Sequence, residues 1–164
     1  MSRKFSVSYD IPADVETAYA AITGEGWAAG KAAALKDEST VVTRDVGTGD
    51  AVTLVVSRKL PDGIPGFLQK FLPADGRVTQ TDTWAAATDG VRAGTWTAAT
   101  PGSPVKVWGT MRLEPAAAGC CYVVAGEIKA AIPLIGGKAE DIAVSMTKKL
   151  TASEADVLRT LVSG

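Results

Sequence analysis

The chain has 164 residues and a formal net charge of −1, and charged residues make up 21% of it. That length fits one domain with a core large enough to fold unaided, whereas the near-neutral balance argues against a nucleic-acid binder, which needs a basic face for phosphate contacts. Histidine is absent, which excludes a Ser-His-Asp or Cys-His relay, a histidine-ligated metal centre and an imidazole acid or base.

The N-terminal part of the chain is predicted to form one strand and two short helices. Large apolar residues alternate with serine over Phe5–Tyr9, the period-two pattern of a half-buried strand. Pro12 then opens a helix whose apolar residues recur at helical spacing as far as Ile22. A second, alanine-rich helix follows at about 26–35. No signal-peptide hydrophobic stretch is visible at the N-terminus, and no run approaches the length that spans a bilayer.

From Ser39 onward the pattern changes to period two and predicts six further strands, at about 39–46, 50–60, 77–87, 91–100, 104–114 and 120–132. Turns that contain glycine join most of them as tight hairpins, so the sheet is expected to be an antiparallel meander. A last helix follows the turn at 132–137 and runs to about Val162, long enough to lie across the sheet. The predicted fold class is therefore α+β: a curved antiparallel sheet of about seven strands, two short N-terminal helices, and a long C-terminal helix packed across the sheet.

The segment Ile64–Pro73, with the sequence IPGFLQKFLP, interrupts the strand pattern. Its large apolar residues fall on one stripe at helical spacing: Ile64, Phe67, Leu68 and Phe71. This spacing predicts a short amphipathic helix that lies between two strands and faces the long helix. We expect it to act as a lid or plug at the mouth of the fold.

The two cysteines, Cys120 and Cys121, are sequence neighbours. Adjacent cysteines rarely bridge each other, and this pair has neither a CxxC partner nor a histidine that would complete a zinc site. Without spaced cysteines no disulfide framework is expected, so the sequence predicts a protein of the reducing cytoplasm. The motifs predict no metal, no cofactor and no assigned catalytic residue.

Four segments of the chain resemble those of one known group of proteins: Phe5–Ile22, Gln80–Trp84, Gly126–Lys129 and Ile132–Glu140. The last, IPLIGGKAE, is the most specific. Together they resemble an actinobacterial family of unknown function within the START-like (SRPBCC) superfamily, which includes the birch-pollen-allergen and polyketide-cyclase-like proteins. The resemblance covers nearly the whole chain and implies a single START-like domain over 1–164 with the helix-grip fold. It further implies a hydrophobic cavity of the kind used for lipids, sterols and polyketides, and it assigns no activity.

Pairing across the predicted hairpins places one set of residues on the concave face, toward the long helix. Gly109 and Gly126 lie on that face, and two interpretations are open: a ligand approaches there, or the glycines let the helix pack or the sheet bend. Tyr122 supplies the one obvious polar group of the surface. With the lid segment and the long helix included, the predicted cavity residues are Phe67, Leu68, Phe71, Trp96, Val107, Gly109, Met111, Tyr122, Val124, Gly126 and Met146.

Strict alternation places Trp84 and Trp108 on the opposite, convex face, whose mixed charges are typical of a solvated surface. Gln80 and Asp82 share the register of Trp84. A β-bulge would turn this strand around, and Asp82 would then be the best carboxylate candidate for acid–base chemistry in the cavity.

Three functional hypotheses follow from these patterns. The favoured one is a protein that binds or carries a hydrophobic small molecule, lipid or polyketide-like, in a cavity between the sheet and the C-terminal helix. The first alternative is a cyclase- or hydratase-type enzyme that uses Asp82, Tyr122 or Glu127 in an apolar pocket. The second is an adaptor that inserts Phe67 and Phe71 into a protein or membrane surface. Stable membrane insertion is not expected, because interfacial helices usually carry several basic residues and this segment has only Lys70. Nothing in the sequence indicates an oligomeric state.

Overall fold

The secondary structure follows the predicted order of one strand, two helices, six strands and a long helix. The computed structural model describes residues 2–35, 41–60, 63–72 and 75–163. The predicted strand start at 39–40 and the last residue of the lid segment, Pro73, lie outside these ranges. The elements are β1 (Arg3–Ile11), α1 (Val15–Ile22), α2 (Glu25–Leu35), β2 (Val41–Val46), β3 (Val52–Lys59), α3 (Gly66–Gln69), β4 (Arg77–Trp84), β5 (Arg92–Ala99), β6 (Val105–Ala116), β7 (Gly119–Ala130) and α4 (Gly136–Ser163).

Helix α1 begins after Pro12 rather than at it, because Asp14 caps the helix. The Asp14 carboxylate accepts a hydrogen bond from the backbone N–H of Thr17 at 2.7 Å, which satisfies one of the donors left without a partner in the first turn. The buried face has the predicted helical spacing and consists of Val15, Ala18, Tyr19 and Ile22.

Seven strands form one antiparallel sheet in the order β1-β7-β6-β5-β4-β3-β2. Strands β2 to β7 form a meander, and β1 pairs with β7 along its whole length. The β4–β5 hairpin turns at Asp89 and Gly90, whose φ angles of 53° and 77° are those that a two-residue hairpin loop requires. The predicted α+β fold, with a curved antiparallel sheet and a long C-terminal helix, is confirmed.

Helix α4 forms the second layer of the fold, against the sheet. It contacts β1 and β7, and both α1 and α2 pack against it. One core cluster draws on β1, β3–β7, α1, α2 and α4. A second, smaller cluster joins α3 to the start of α4: Leu68, Ala130, Ile132 and Ala139.

The indole of Trp84 is buried in the core, so strict alternation does not hold along this strand and the β-bulge considered in the sequence is present. Trp84 pairs with Gly94, whereas Thr88 pairs with Val91; the β4 side therefore holds one residue more than the β5 side between these pairs. Such a bulge reverses the facing of the residues beyond it, and Trp84 is 1% exposed. Trp108 keeps its predicted convex position and is 37% exposed.

Arg92 joins α1 to the sheet beside Trp84. Its guanidinium donates to both carboxylate oxygens of Glu16, at 2.9 and 2.7 Å, and lies 3.9 Å from the centroid of the Tyr19 ring. The Tyr19 ring meets Trp84 edge-on, with 5.7 Å between centroids. Side chains thus fill the space between α1 and this end of the sheet.

Candidate ligand-binding cavity

A cavity of about 170 Å³, partly open to solvent, lies between the sheet and α4. Sites for small ligands are typically concave and mainly apolar, with a few polar groups that fix orientation. The cavity fits that description, because most of its lining is apolar. The apolar lining residues are Leu60, Ile64, Leu68, Phe71, Leu72, Val78, Trp96, Ala98, Val105, Val107, Met111, Val124, Ile132, Ala139, Ile142, Ala143, Met146 and Leu150.

Most of the predicted cavity residues line this space, and they come from the sheet, from α4 and from the α3 segment. Trp96, Met111 and Val124 share one face of the sheet, as the pairing predicts. The structure thus brings these side chains together; that they bind a ligand stays a prediction. The predicted residues that line the cavity are Leu68, Phe71, Trp96, Val107, Met111, Tyr122, Val124 and Met146.

Phe67 does not line the cavity, because it lies on the outer side of α3. Its side chain is 37% exposed, and the Lys138 ammonium lies 4.8 Å from the centroid of its ring. Leu68, the next residue, is buried. The helical turn therefore presents Leu68 to the fold and Phe67 to the exterior.

Gly109 and Gly126 do not line the cavity either. A Cβ atom on Gly109 would lie 2.0 Å from the carbonyl oxygen of Ala125, and one on Gly126 would lie 2.6 Å from the Phe5 ring and 2.8 Å from the Trp96 ring. Backbone and aromatic rings occupy the space beside both glycines. These contacts favour a packing role for both glycines over the approach of a ligand, although the packing partners are β7 and two aromatic rings rather than the helix.

The α3 segment covers one side of the cavity. Ile64, Leu68 and Phe71 line it, and Leu68 also packs in the small cluster at the start of α4. The side-chain amide of Gln69 donates to the Ile64 carbonyl at 3.1 Å, which closes the turn. The segment lies where the lid hypothesis requires; its opening stays a prediction.

A row of buried polar side chains runs along the β3–β4 wall of the cavity. The Arg58 guanidinium donates to the Gln80 amide oxygen at 3.2 Å, and the Gln80 amide nitrogen donates to Asp82 Oδ1 at 2.9 Å. Because a guanidinium can only donate, it fixes the orientation of the Gln80 amide and so directs an N–H toward Asp82. The remaining polar lining residues are Thr100, Ser103, Tyr122, Thr147, Thr151 and Glu154.

A buried ion pair between α2 and α4 lies beside the cavity, and one of its members, Glu154, is part of the lining. Lys31 Nζ on α2 is 3.2 Å from Glu154 Oε1 on α4, with side-chain exposures of 1% and 8%. The ammonium also lies 5.4 Å from the centroid of the Trp27 ring. The contact lacks the alignment of a hydrogen bond, so it is primarily an attraction between charges.

Burial shifts the pKa values of the two ionisable candidates in the cavity wall. It raises the pKa of Asp82, against the opposing effects of the Lys31 charge and the Gln80 hydrogen bond. It also raises the pKa of Tyr122 well above the usual tyrosine range, and the negative charges of Glu154 and Asp82 add to that rise. Both shifts favour the protonated, neutral side chain.

Glu127, the third acid–base candidate, does not reach the cavity. It lies on the opposite face of β7 and accepts a hydrogen bond from the Ser2 hydroxyl. Asp82 lines the cavity, because the bulge after β4 turns it inward beside Trp96. Of the three candidates, Asp82 and Tyr122 are thus placed to meet a ligand.

Three charged residues near the cavity were not predicted from the sequence: Arg58, Lys31 and Glu154. Arg58 continues the alternation of buried residues along β3. Lys31 follows Trp27 by four residues and Glu154 follows Leu150 by four, so each falls on the apolar face of its helix. A charge on the apolar face of a helix indicates a buried ion pair. The local sequence does not relate α2 to α4, however, so it does not identify the partner of either charge.

Stability should reveal the ionisation of Asp82. Because its pKa is raised in the folded state, the native chain binds more protons than the unfolded chain between the two pKa values, and stability falls as the pH rises through this window. Asp82→Asn removes this loss, so the free energy of unfolding of the variant minus that of wild type should increase from about pH 4 upward, by at most about 1.4 kcal/mol per pH unit.

Urea titrations of both proteins at several pH values measure that difference. Asp89→Asn, in the exposed β4–β5 turn, is the matched control for the loss of one carboxylate. A difference that stays constant, or that decreases as the pH rises, would show that the pKa of Asp82 is not raised.

No group of three metal-ligating side chains is found among the residues that the structure describes. Within the same ranges, no helix combines the length and hydrophobicity needed to cross a bilayer.

One protein-family model matches the chain, over residues 6–162. Its description is "Protein of unknown function (DUF2505)". No curated protein sequence shows a significant match.

Solved structures show a wider similarity of fold. Norcoclaurine synthase from Thalictrum flavum is 14% identical with a TM-score of 0.63, over 99% of this chain and 87% of that one. TTHA0849 from Thermus thermophilus is 16% identical with a TM-score of 0.59, over 99% and 97%. The di-domain ARO/CYC protein StfQ of the steffimycin biosynthetic pathway is 10% identical with a TM-score of 0.66, over 99% and 51%. At these identities the similarity shows the fold alone, which is of the helix-grip type.

Proposed function

We propose that this chain, which belongs to the DUF2505 family of proteins of unknown function, binds a small apolar molecule between the sheet and α4. The observation that carries the proposal is the cavity itself. Interiors are normally packed with few voids larger than a water molecule, whereas about 170 Å³ remains here inside an apolar lining. The names of two structural neighbours, norcoclaurine synthase and the ARO/CYC protein StfQ, belong to small-molecule biosynthesis and add support at the level of the fold.

The size of the cavity favours a compact ligand over a long lipid. An apolar cavity of about 150 Å³ holds a benzene molecule, so a cavity of about 170 Å³ suits one or two rings. A longer polyketide or acyl chain would exceed this volume and would have to extend through the open side of the cavity or displace the α3 segment outward. In this proposal α3 covers the ligand through Leu68 and Phe71.

Filling the cavity should abolish binding without unfolding the protein. Ala143 lines the cavity on α4, so Ala143→Trp is expected to place an indole in the ligand space. Titration of protein into naphthalene by calorimetry should show binding to wild type and none to this variant. Ser145→Trp, on the exposed side of the same helix, is the matched control and should bind as wild type does.

Cooperative thermal unfolding of both tryptophan variants must accompany the comparison. The proposal fails if wild type does not bind an apolar ring compound, or if the two tryptophan variants bind it equally well.

The cyclase or hydratase alternative retains one specific support, the placement of Asp82 and Tyr122 on the cavity wall. The same complexes test it. A bound ring ketone recovered unchanged after long incubation argues for binding alone, whereas turnover that Asp82→Asn removes would indicate an enzyme.

A further inference from the structure

We infer that Asp82 and Tyr122 give the cavity a preference for one class of ligand: a one- or two-ring molecule that carries a neutral oxygen, such as a phenol or a ketone. The inference rests on the proposed function and deepens it. It depends on which polar atoms of the wall remain available, and on the charges that surround them.

The first available atom is the second carboxyl oxygen of Asp82. In the part of the chain that the structure describes, the hydrogen bonds of this carboxyl involve Oδ1 alone, which accepts from Gln80. Arg58 holds the Gln80 amide in the orientation that makes it a donor. Oδ2 is therefore left for a ligand, in a residue that lines the cavity.

The second available group is the Tyr122 hydroxyl, which comes from the β7 side of the cavity. Its neighbour Tyr9 hydrogen-bonds Thr151 across 3.0 Å, and the two tyrosine rings are 6.4 Å apart. The Tyr122 hydroxyl makes no such bond within the described ranges, although the residue is buried and lines the cavity. A buried tyrosine hydroxyl usually has a partner, and a ligand oxygen would supply one.

Desolvation disfavours an ionic ligand of either sign, because moving an ion into an apolar cavity is costly. The charged groups near Asp82 already have partners within the protein, Lys31 with Glu154 and Arg58 with Gln80. A neutral ligand avoids the desolvation penalty.

The proposed hydrogen-bond direction takes Asp82 and Tyr122 as protonated, the form that burial favours in both. Each then carries one O–H donor. A carbonyl or phenolic oxygen accepts from such donors, whereas an ammonium group cannot. A carboxyl group kept neutral by an apolar site so that it can donate a hydrogen bond has a precedent in enzymes.

A set of matched ring compounds tests the inference at neutral pH. The probes are naphthalene, 2-naphthol and the ammonium compound 2-(aminomethyl)naphthalene, each titrated calorimetrically against wild type and three variants. Tyr122→Phe should lower the affinity for 2-naphthol by about two- to tenfold, the range of one net hydrogen bond, and leave naphthalene unchanged.

Asp82→Asn is the decisive variant. Its amide oxygen can still accept from Gln80 while its N–H group faces the ligand, so it imitates the protonated acid. We expect it to retain 2-naphthol affinity within about twofold, whereas Asp82→Leu, which cannot hydrogen-bond, should show the same loss as Tyr122→Phe. Cooperative unfolding of each variant establishes that it is folded.

The possible outcomes separate this inference from the proposed function. If naphthalene binds but neither Tyr122→Phe nor Asp82→Leu lowers the affinity for 2-naphthol more than that for naphthalene, the oxygen preference is wrong and the apolar cavity site stands. If the ammonium compound binds best and Asp82→Asn abolishes its binding, Asp82 is an ionised site for cations and the inference is overturned. If no ring compound binds wild type, the proposed function itself fails.

Discussion

Lys31→Met is expected to lower the free energy of unfolding by about 3–5 kcal/mol, because it leaves the Glu154 carboxylate buried without its partner. The two charges lie 3.2 Å apart and are almost completely shielded from solvent. Methionine preserves most of the side-chain volume against Trp27, so the effect isolates the loss of charge. The loss is a large fraction of the stability of a typical domain.

The double variant Lys31→Met/Glu154→Leu provides the control. Replacing both members of a buried ion pair with apolar residues is often neutral or stabilising, so the double variant should recover most of the loss. Urea unfolding followed by circular dichroism measures both, with an unchanged m-value as the sign that the unfolding reaction is the same. A single variant as stable as wild type would mean that water reaches the pair.

The Lys31–Glu154 pair also matters for the cavity. Glu154 lines it, and the Lys31 charge opposes the rise in the pKa of Asp82. If the Lys31→Met variant folds, the Glu154 carboxylate in this wall is no longer compensated by a positive charge, and it should weaken the binding of an anionic probe further.

Gly109→Ala is expected to destabilise the protein by more than about 3 kcal/mol, beyond the common range for overpacked sites. The new Cβ would lie 2.0 Å from the Ala125 carbonyl oxygen and 2.7 Å from the Gly126 Cα. Both are backbone atoms of the paired strand β7, so relief requires the β6–β7 pairing itself to shift.

Gly66→Ala is the matched control, because no atom lies within 4 Å of a Cβ at this position. It should be neutral or add up to about 1 kcal/mol through the reduced freedom of the unfolded chain. The comparison also tests the sequence-based alternative for Gly109. A ligand site there would make Gly109→Ala a folded protein of normal stability with reduced ligand affinity.

The periodic parts of the fold follow from local sequence. Alternation assigned the strands to within about three residues, and the spacing within Ile64–Phe71 identified the α3 segment. These features depend on which face of a strand or helix is buried, and that information lies in residues two to four positions apart. Leu68 and Tyr122 reach the cavity lining for this reason.

The facing of β4 was not predictable from alternation alone. One extra residue between the Trp84–Gly94 and Thr88–Val91 pairs reverses the strand, and its position depends on how β4 and β5 pair. The sequence indicates only that a bulge, if present, would bring Asp82 inward. The ion pair is a similar case, since Lys31 and Glu154 lie on helices far apart in the chain.

By itself, the sequence determined the element order and most of the apolar faces, because each depends on short-range periodicity, whereas the helix-grip architecture came from the family resemblance. Only the tertiary structure decided that Asp82 faces a cavity, that Gly109 and Gly126 serve strand packing, and that a space remains between the sheet and α4. Register is set by pairing between strands, and a cavity is the volume left after side chains from many elements have packed together. No single segment of the chain carries either quantity.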